Sequence, residues 1–272
     1  MSQAGASSGP LQAADVRAAR ARGCPAWSEA PLEVHETIGS TNDRARELGE
    51  AGVPEGALVV AARQEQGRGR LGRTWASPEG GLYLSLVLRP DESMLRRLPA
   101  TLLGGLAVAQ ALEDHGAKPE LKWPNDVLLG GRKVAGILGE LGRDEQGQRL
   151  VLGVGINVST PQSGLPAEVP ATSLALATGS APPLSEVLAS FLGHFAGHYA
   201  AIRRGGGATI LAMASARMPL LGKPIQVRLG PDKVVTGVAS GLSATGGLVL
   251  EHEDGQRREV LLAGEVEGVA PR

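Results

Sequence analysis

Apolar positions along this chain follow two rhythms, and their order predicts its architecture. Period-two alternation marks Leu32–Ile38 as a first strand. Ser40-Thr41-Asn42-Asp43 comes next with N-cap chemistry, so a helix is expected to about Glu50, with Gly52 stopping it. Continuous apolar runs at residues 57–62 and 82–88 read as buried strands, and residues 98–115 as a largely apolar helix closed by Gly116. Residues 120–123 and 127–129 flank a turn at Pro124-Asn125-Asp126. Gly130-Gly131 and residues 144–147 then make consecutive hairpins, leading through residues 133–141 into residues 150–158. Consecutive hairpins mean an antiparallel meander. The predicted class is α+β: a mixed, mainly antiparallel sheet with helices against it.

The flanks behave differently. Residues 1–10 are small and polar, as in a disordered tail, and residues 11–22 read as a frayed terminal helix. Residues 184–204 carry apolar positions at helical spacing, Gly205-Gly206-Gly207 breaks that helix, and a shorter one runs to about Met218. Beyond Pro219 the pattern changes to short strands at residues 225–229, 234–239, 248–252 and 259–262, the signature of a small β-barrel or half-barrel. The expected division is a partly disordered tail over 1–30, a main domain over 31–218 and a terminal β module over 219–272.

Charge narrows the function. Lys+Arg 27 against Asp+Glu 28 gives a net charge of −1, which excludes a general nucleic-acid binder. Cys24 is the single cysteine, so neither an internal disulfide nor a cysteine metal site is available. No apolar run approaches the ~18 residues of a membrane span and no secretory core is present, so a cytoplasmic protein without membrane contact is expected. His194 and His198 stand four apart on the long helix. The glutamate of the metalloprotease pattern is missing and no third ligand is suggested, which leaves them ordinary helix residues.

The chemistry concentrates in three stretches. Gly67-Arg68-Gly69-Arg70-Leu71-Gly72-Arg73-Thr74-Trp75 interleaves glycine with arginine, a composition suited to wrapping phosphate or carboxylate, and equally that of a solvated charged loop. Gly67-x-Gly69-x-x-Gly72 satisfies the dinucleotide-binding pattern, but that pattern requires a helix next and a strand follows; a P-loop fails for want of Gly-Lys-Ser/Thr. Lys122-Trp123-Pro124-Asn125-Asp126 holds a cation, an aromatic ring, an amide and a carboxylate on one rigid turn, or is simply a β-turn beside a charge. Gly153-Val154-Gly155-Ile156-Asn157 bares one face of a strand, for a ligand or for a crowded neighbour.

Together with Ser40-Thr41-Asn42 and Lys133-Val134-Ala135-Gly136, these segments closely resemble the biotin protein ligases, over roughly residues 32–160 and in the expected order. The resemblance implies a core shared with class II aminoacyl-tRNA synthetases, followed by an SH3-like C-terminal barrel. It implies ATP and biotin as substrates with Mg2+, biotinyl-5′-AMP as intermediate, and a lysine of the biotin carboxyl carrier protein of acetyl-CoA carboxylase as acceptor. It assigns biotin contacts to Ser40, Thr41, Asn42, Gln64, Gly67 and Arg68, phosphate contacts to Arg70 and Arg73, and an adenine contact to Trp75. Lys133 is placed between the biotin carboxylate and the α-phosphate, with Arg70 and Asp126 as further catalytic residues.

Gly136 and Gly155 leave room for biotin in that scheme, Asn157 reads adenine, and Asn125 and Asp126 border the nucleotide. Asp126 is open to two roles, metal ligand or proton acceptor from the incoming lysine, while Lys122 supports its turn. Some members carry an N-terminal winged helix. Here about thirty residues precede the first strand, so no DNA binding is expected; a monomer and a homodimer are both open. Lipoate and octanoate transferases share the implied fold but carry a Ser-Gly-Gly-Gly run that this chain lacks.

Overall fold

A computed structural model describes residues 11–96, 99–252 and 258–269. The predicted disordered tail over residues 1–10 lies outside them. Among the described residues twelve strands are formed. Those of the main sheet are β1 (Leu32–Ile38), β2 (Leu58–Gln64), β3 (Gly81–Leu88), β4 (Pro119–Lys122), β5 (Asp126–Leu129), β6 (Arg132–Asp144) and β7 (Gly147–Asn157). The helices are α1 (Ala13–Gly23), α2 (Thr41–Glu50), α3 (Glu92–Leu95), α4 (Ala100–Glu113), α5 (Leu174–Thr178), α6 (Leu184–Arg203) and α7 (Gly207–Ser215).

The seven strands run in the order β1-β2-β3-β7-β6-β5-β4. β1 and β2 are parallel, joined through α2, and every other neighbouring pair is antiparallel, as the consecutive hairpins predict. β6 and β7 extend beyond their predicted ends because Asp144 pairs with Gly147 across the hairpin turn. β3 is buried along its whole length. α4, apolar on nearly every side, packs against β6 and carries the core into α6.

The expected frayed helix is instead docked. α1 buries Val16 and Ala19 against α6, and Arg20 donates to the Ser28 and Ala30 carbonyls at 2.5 and 2.6 Å, pinning the segment that leads into β1. Only two apolar positions of α1 face the core, too few to stand out in the sequence.

The C-terminal strands β8 (Pro224–Gly230), β9 (Lys233–Leu242), β10 (Leu248–Glu251), β11 (Arg258–Leu261) and β12 (Glu265–Val269) correct a prediction. They form an open sheet in the order β11-β10-β9-β8-β12, and among the described residues β11 and β12 do not pair, so the SH3-like barrel is not formed. The apolar face of this sheet finds its partner elsewhere. Ile225, Val227, Ala239, Leu248, Leu250 and Val266 join the same core as α4 and the main sheet, so the C-terminal strands cover their apolar face without curling closed. The buried Trp123 indole donates to the Gly246 carbonyl at 3.1 Å and fixes that contact. No described helix is long and apolar enough to cross a membrane.

Candidate active site

The Gly/Arg stretch folds as a tight hairpin at the mouth of a cavity of about 280 Å³. Trp75 N donates to Gly67 O at 2.9 Å and Gly69 N to Arg73 O at 2.7 Å, while Arg68 bridges Thr74. A Cβ on Gly67 would lie 2.3 Å from the Trp75 carbonyl, so the hairpin closes only with glycine there. At its tip Leu71 has φ 56° and Gly72 φ 74°; the left-handed region costs a leucine about 1 kcal/mol or more, and its side chain is 79% exposed.

One end of the cavity is neutral and polar. The Ser40 hydroxyl caps α2 by accepting from Asp43 N, which aims the first turn of the helix at the cavity. Gln64, at the end of β2, accepts from Thr41 N at 2.8 Å and from the Thr41 hydroxyl at 3.0 Å, and its amide donates to Ser77 Oγ at 2.8 Å. Ser85, wholly buried on β3, stands 2.9 Å from Thr41 Oγ1 and 2.6 Å from Asn42 Oδ1. Asn42 lines the cavity, yet its amide is engaged: the oxygen with Ser85 and the nitrogen with Glu140 at 2.7 Å. Gly153 exists for this contact, since a Cβ there would sit 2.0 Å from Asn42 Oδ1.

The other end is cationic. Lys133 Nζ, on β6, is 2.7 Å from Asp126 Oδ1 and 5.2 Å from the centroid of the Trp75 ring. Arg70 Nη1 donates to Asn125 Oδ1 at 3.1 Å and to Gly264 O at 3.3 Å; burial pulls the Arg70 pKa down, against the opposing charges of Asp126 and Glu265. Arg73 grips Glu265 with both branches of its fork, at 2.9 and 2.5 Å, and that guanidinium holds the Glu265 carboxyl below its ordinary range. Asn157 is buried and donates to Thr172 O at 3.1 Å.

Trp75 divides the two ends. Its indole lies on the bare strands, and a Cβ on Gly155 would come 2.5 Å from its Nε1, one on Gly136 2.9 Å from its Cζ3. The room left by these glycines is therefore filled by Trp75. The buried Trp75 Nε1 has no hydrogen-bond partner.

The structure thus gathers every predicted site residue around one cavity, with Gly67 behind its wall. Ser77, Ser85 and Glu140 carry no signal in the sequence. Glu265 sits in the C-terminal Gly264-Glu265-Val266 run, far from the loop it meets. Among the described residues no group of three His, Cys, Asp or Glu could hold a metal ion by itself. His194 pairs instead with Asp114, the C-cap of α4, and His198 with Gln110 on α4.

Comparison with known proteins agrees with this geometry. The biotin/lipoate A/B protein ligase family matches residues 34–157, and the biotin protein ligase C-terminal domain matches residues 220–267. The chain is 37% identical over 234 residues to the biotin–[acetyl-CoA-carboxylase] ligase of Paracoccus denitrificans, covering 84% of this chain and 96% of that one. It is 33% identical to the corresponding ligase of Mycobacterium tuberculosis over 86% and 88% of the two chains. The match to the bifunctional ligase/repressor BirA of Bacillus subtilis, 43% identical, spans about half of that relative, 47% of its length. Among solved structures, the biotin protein ligase of Aquifex aeolicus in complex with biotin and ATP superposes with a TM-score of 0.75 at 34% identity, over 87% of this chain and 97% of that one. By near full-length identity to these ligases, the chain belongs to the biotin protein ligase family.

Proposed function

We propose that this protein activates biotin with ATP and transfers it to a carrier protein. Biotin and ATP give biotinyl-5′-AMP and pyrophosphate; a lysine amine of the biotin carboxyl carrier protein of acetyl-CoA carboxylase then takes the biotinyl group, and AMP leaves. The observation that carries this reading is one cavity with a neutral polar end, a cationic end and a single hairpin spanning both. The Aquifex aeolicus ligase, whose structure holds biotin and ATP, supports the same pairing of ligands.

In this reading Ser40, Thr41 and Gln64, with the backbone at Arg68 and with Gly67 closing the wall behind it, satisfy the ureido ring of biotin, because each unpaired buried polar group would cost about 1–3 kcal/mol. Asn42 braces that set. Lys133 sits where the biotin carboxylate meets the α-phosphate, offsetting the repulsion of two anions and stabilising the charge that develops between them. Arg70 and Arg73 take phosphate oxygens, the latter by exchanging Glu265 for its ligand. Trp75 rests its inner face on Gly136 and Gly155 and offers the outer face to adenine, beside Asn125 and Asn157.

Magnesium fits this site as a companion of the triphosphate, where it offsets phosphate charge; Asp126 is the carboxylate placed to touch it, and is also placed to accept a proton from the acceptor lysine. The division into an N-terminal segment over 1–30, whose helix α1 docks on α6, a catalytic domain over 31–218 and a C-terminal module over 219–272 is proposed with it. A net charge of −1 and a cavity sized for small molecules favour an enzyme of small-molecule substrates over a DNA-binding protein, and a cytoplasmic location is part of the same proposal.

Biotin-dependent exchange of labelled pyrophosphate into ATP, run beside lipoate, tests the proposal. Exchange with biotin and not with lipoate is expected. Exchange with lipoate alone would identify a lipoate ligase, and no exchange with either would reduce the cavity to a binding site.

A further inference from the structure

Glu140 lies outside the cavity on β6 and belongs to no motif, yet its two carboxylate oxygens reach two different walls of the site. Oε2 accepts from Asn42 Nδ2 at 2.7 Å, at the start of α2. Oε1 lies 2.9 Å from Arg68 Nη2, at the root of the arginine hairpin. Arg68 is held on its other side by Asp43, also in the first turn of α2, at 2.8 Å. β5 covers β6 only as far as Gly136, so Glu140 stands on the length of β6 that is paired with β7 alone. Its backbone is at an open edge while its side chain, about 25% exposed, points back to the site.

The surroundings show that this placement is specific. Asn42 reaches Glu140 only because Gly153 leaves space on β7 and because Ser85 fixes the other end of the same amide. The carboxylate takes the Asn42 amide on Oε2 and the Arg68 guanidinium mainly on Oε1, with a longer 3.5 Å contact from Arg68 Nη1 to Oε2, so both acceptors are used in defined directions. The Arg68–Asp43 pair joins hairpin and helix directly, and Glu140 adds a second link to the same turn through Asn42.

We propose that Glu140 is a positioning residue that sets the arginine hairpin against the first turn of α2, acting through Arg68 and Asn42. It fixes the distance between the Thr41 hydroxyl and the hairpin backbone, across which a ligand of the polar end must fit. The ligand being biotin rests on the function proposed above; the tie between hairpin and helix does not.

Glu140→Gln strikes one tie and spares the other: the amide oxygen still accepts from Asn42 and keeps only the long 3.5 Å contact with Arg68 Nη1, while the amide N–H groups face Arg68 Nη2 donor to donor. Limited trypsin digestion of the ligand-free full chain should cut after Arg68, Arg70 and Arg73 several-fold faster in this variant, with the thermal midpoint unchanged. In biotin-dependent pyrophosphate exchange, KM for biotin should rise roughly twofold to fivefold, as for one partly exposed ion pair, with kcat and the KM for ATP unchanged. The double variant Arg68→Gln/Glu140→Gln should be no worse than Arg68→Gln alone. Unchanged hairpin cleavage, an unchanged KM for biotin, multiplying effects in the double variant, or a lowered midpoint with cleavage spread over the chain would each overturn the proposal. Absence of exchange in the wild type would instead overturn the proposed function, and hairpin cleavage would still decide the tie.

Discussion

Lys133 meets Asp126 at 2.7 Å and lies over the Trp75 ring at 5.2 Å, so the cation at the junction of the two cavity ends is held in place before any ligand binds. In the function proposed above, such preorganisation would hold a cation where negative charge develops during acyl-adenylate formation, with little rearrangement in the reaction. For Lys133→Ala the loss should therefore fall on the chemical step. Biotin-dependent pyrophosphate exchange should drop by roughly 10²-fold or more, about 3 kcal/mol, while the affinity for biotin changes much less. Near-normal exchange in this variant would refute the role.

Arg70 is predicted to retain the intermediate. Its guanidinium joins the hairpin to Asn125 and to the Gly264 carbonyl, bridging loop, main sheet and C-terminal sheet over the cationic end. Arg70→Ala removes a charged hydrogen-bond donor worth about 1.5–3 kcal/mol, so biotinyl-5′-AMP should escape roughly tenfold to a hundredfold faster and be hydrolysed in solution. Single-turnover measurement of adenylate formed and adenylate retained reads this directly. Equal retention in variant and wild type would dispose of it.

What was legible in the sequence was the chemistry carried by neighbours in the chain. The alternation of glycine and arginine from Gly67 to Arg73, the cap at Ser40 and the bared strand at Gly153 and Gly155 each announce a local geometry, and all of them border the cavity or its wall. Ser85 was hidden because it sits inside the apolar run of β3 and looks like core. Glu140 and Glu265 were hidden because their meaning depends on tertiary register; Glu265 is 192 residues from Arg73. The barrel expectation failed for a related reason. Strand count is local, but whether a small sheet closes depends on whether another surface covers its apolar face, and here that face joins the core of the main domain, with α7 packed against β9.

The Arg73–Glu265 pair places a carboxylate in the fork proposed for phosphate. Replacing the acid by its amide should therefore act on nucleotide and not on biotin. Glu265→Gln weakens the brace between hairpin and C-terminal sheet, and it also removes the competitor. Because the Arg73 side chain is largely and that of Glu265 partly solvent-accessible, the pair adds at most about 0.5–1 kcal/mol to stability, and the thermal midpoint should hardly move. The expected signature is a changed KM for ATP, by roughly twofold to fivefold, with the KM for biotin constant. A change in the KM for biotin alone would show that the pair serves the wrong end of the cavity.

Asp144 supplies the pH dependence. It lies 3.0 Å from Arg89 Nη1 and 3.3 Å from Arg149 Nη1, and Arg149 is almost wholly buried. Arg89 also donates to the Gly49 and Val53 carbonyls, so this cluster anchors the C-terminal end of α2, the helix whose first turn forms the polar end of the cavity. Burial by itself would raise the Asp144 carboxyl, but the Gln146 N–H and the Arg89 guanidinium outweigh it and hold the group below the usual carboxylate range. A folded pKa lower than the unfolded one, about 3.9 for aspartate, adds stability that is complete above the unfolded value and is lost as pH falls through the folded one. Asp144→Asn should thus cost about 2 kcal/mol at pH 7 by leaving two arginines without their shared carboxylate. The gap between wild type and variant should hold from about pH 7 to about pH 5 and close below about pH 4, because only the wild type loses a charge there. Urea midpoints across that range measure it, and a gap that stayed constant at the acid end, or widened, would show that Asp144 does not stabilise the fold through its ionised form.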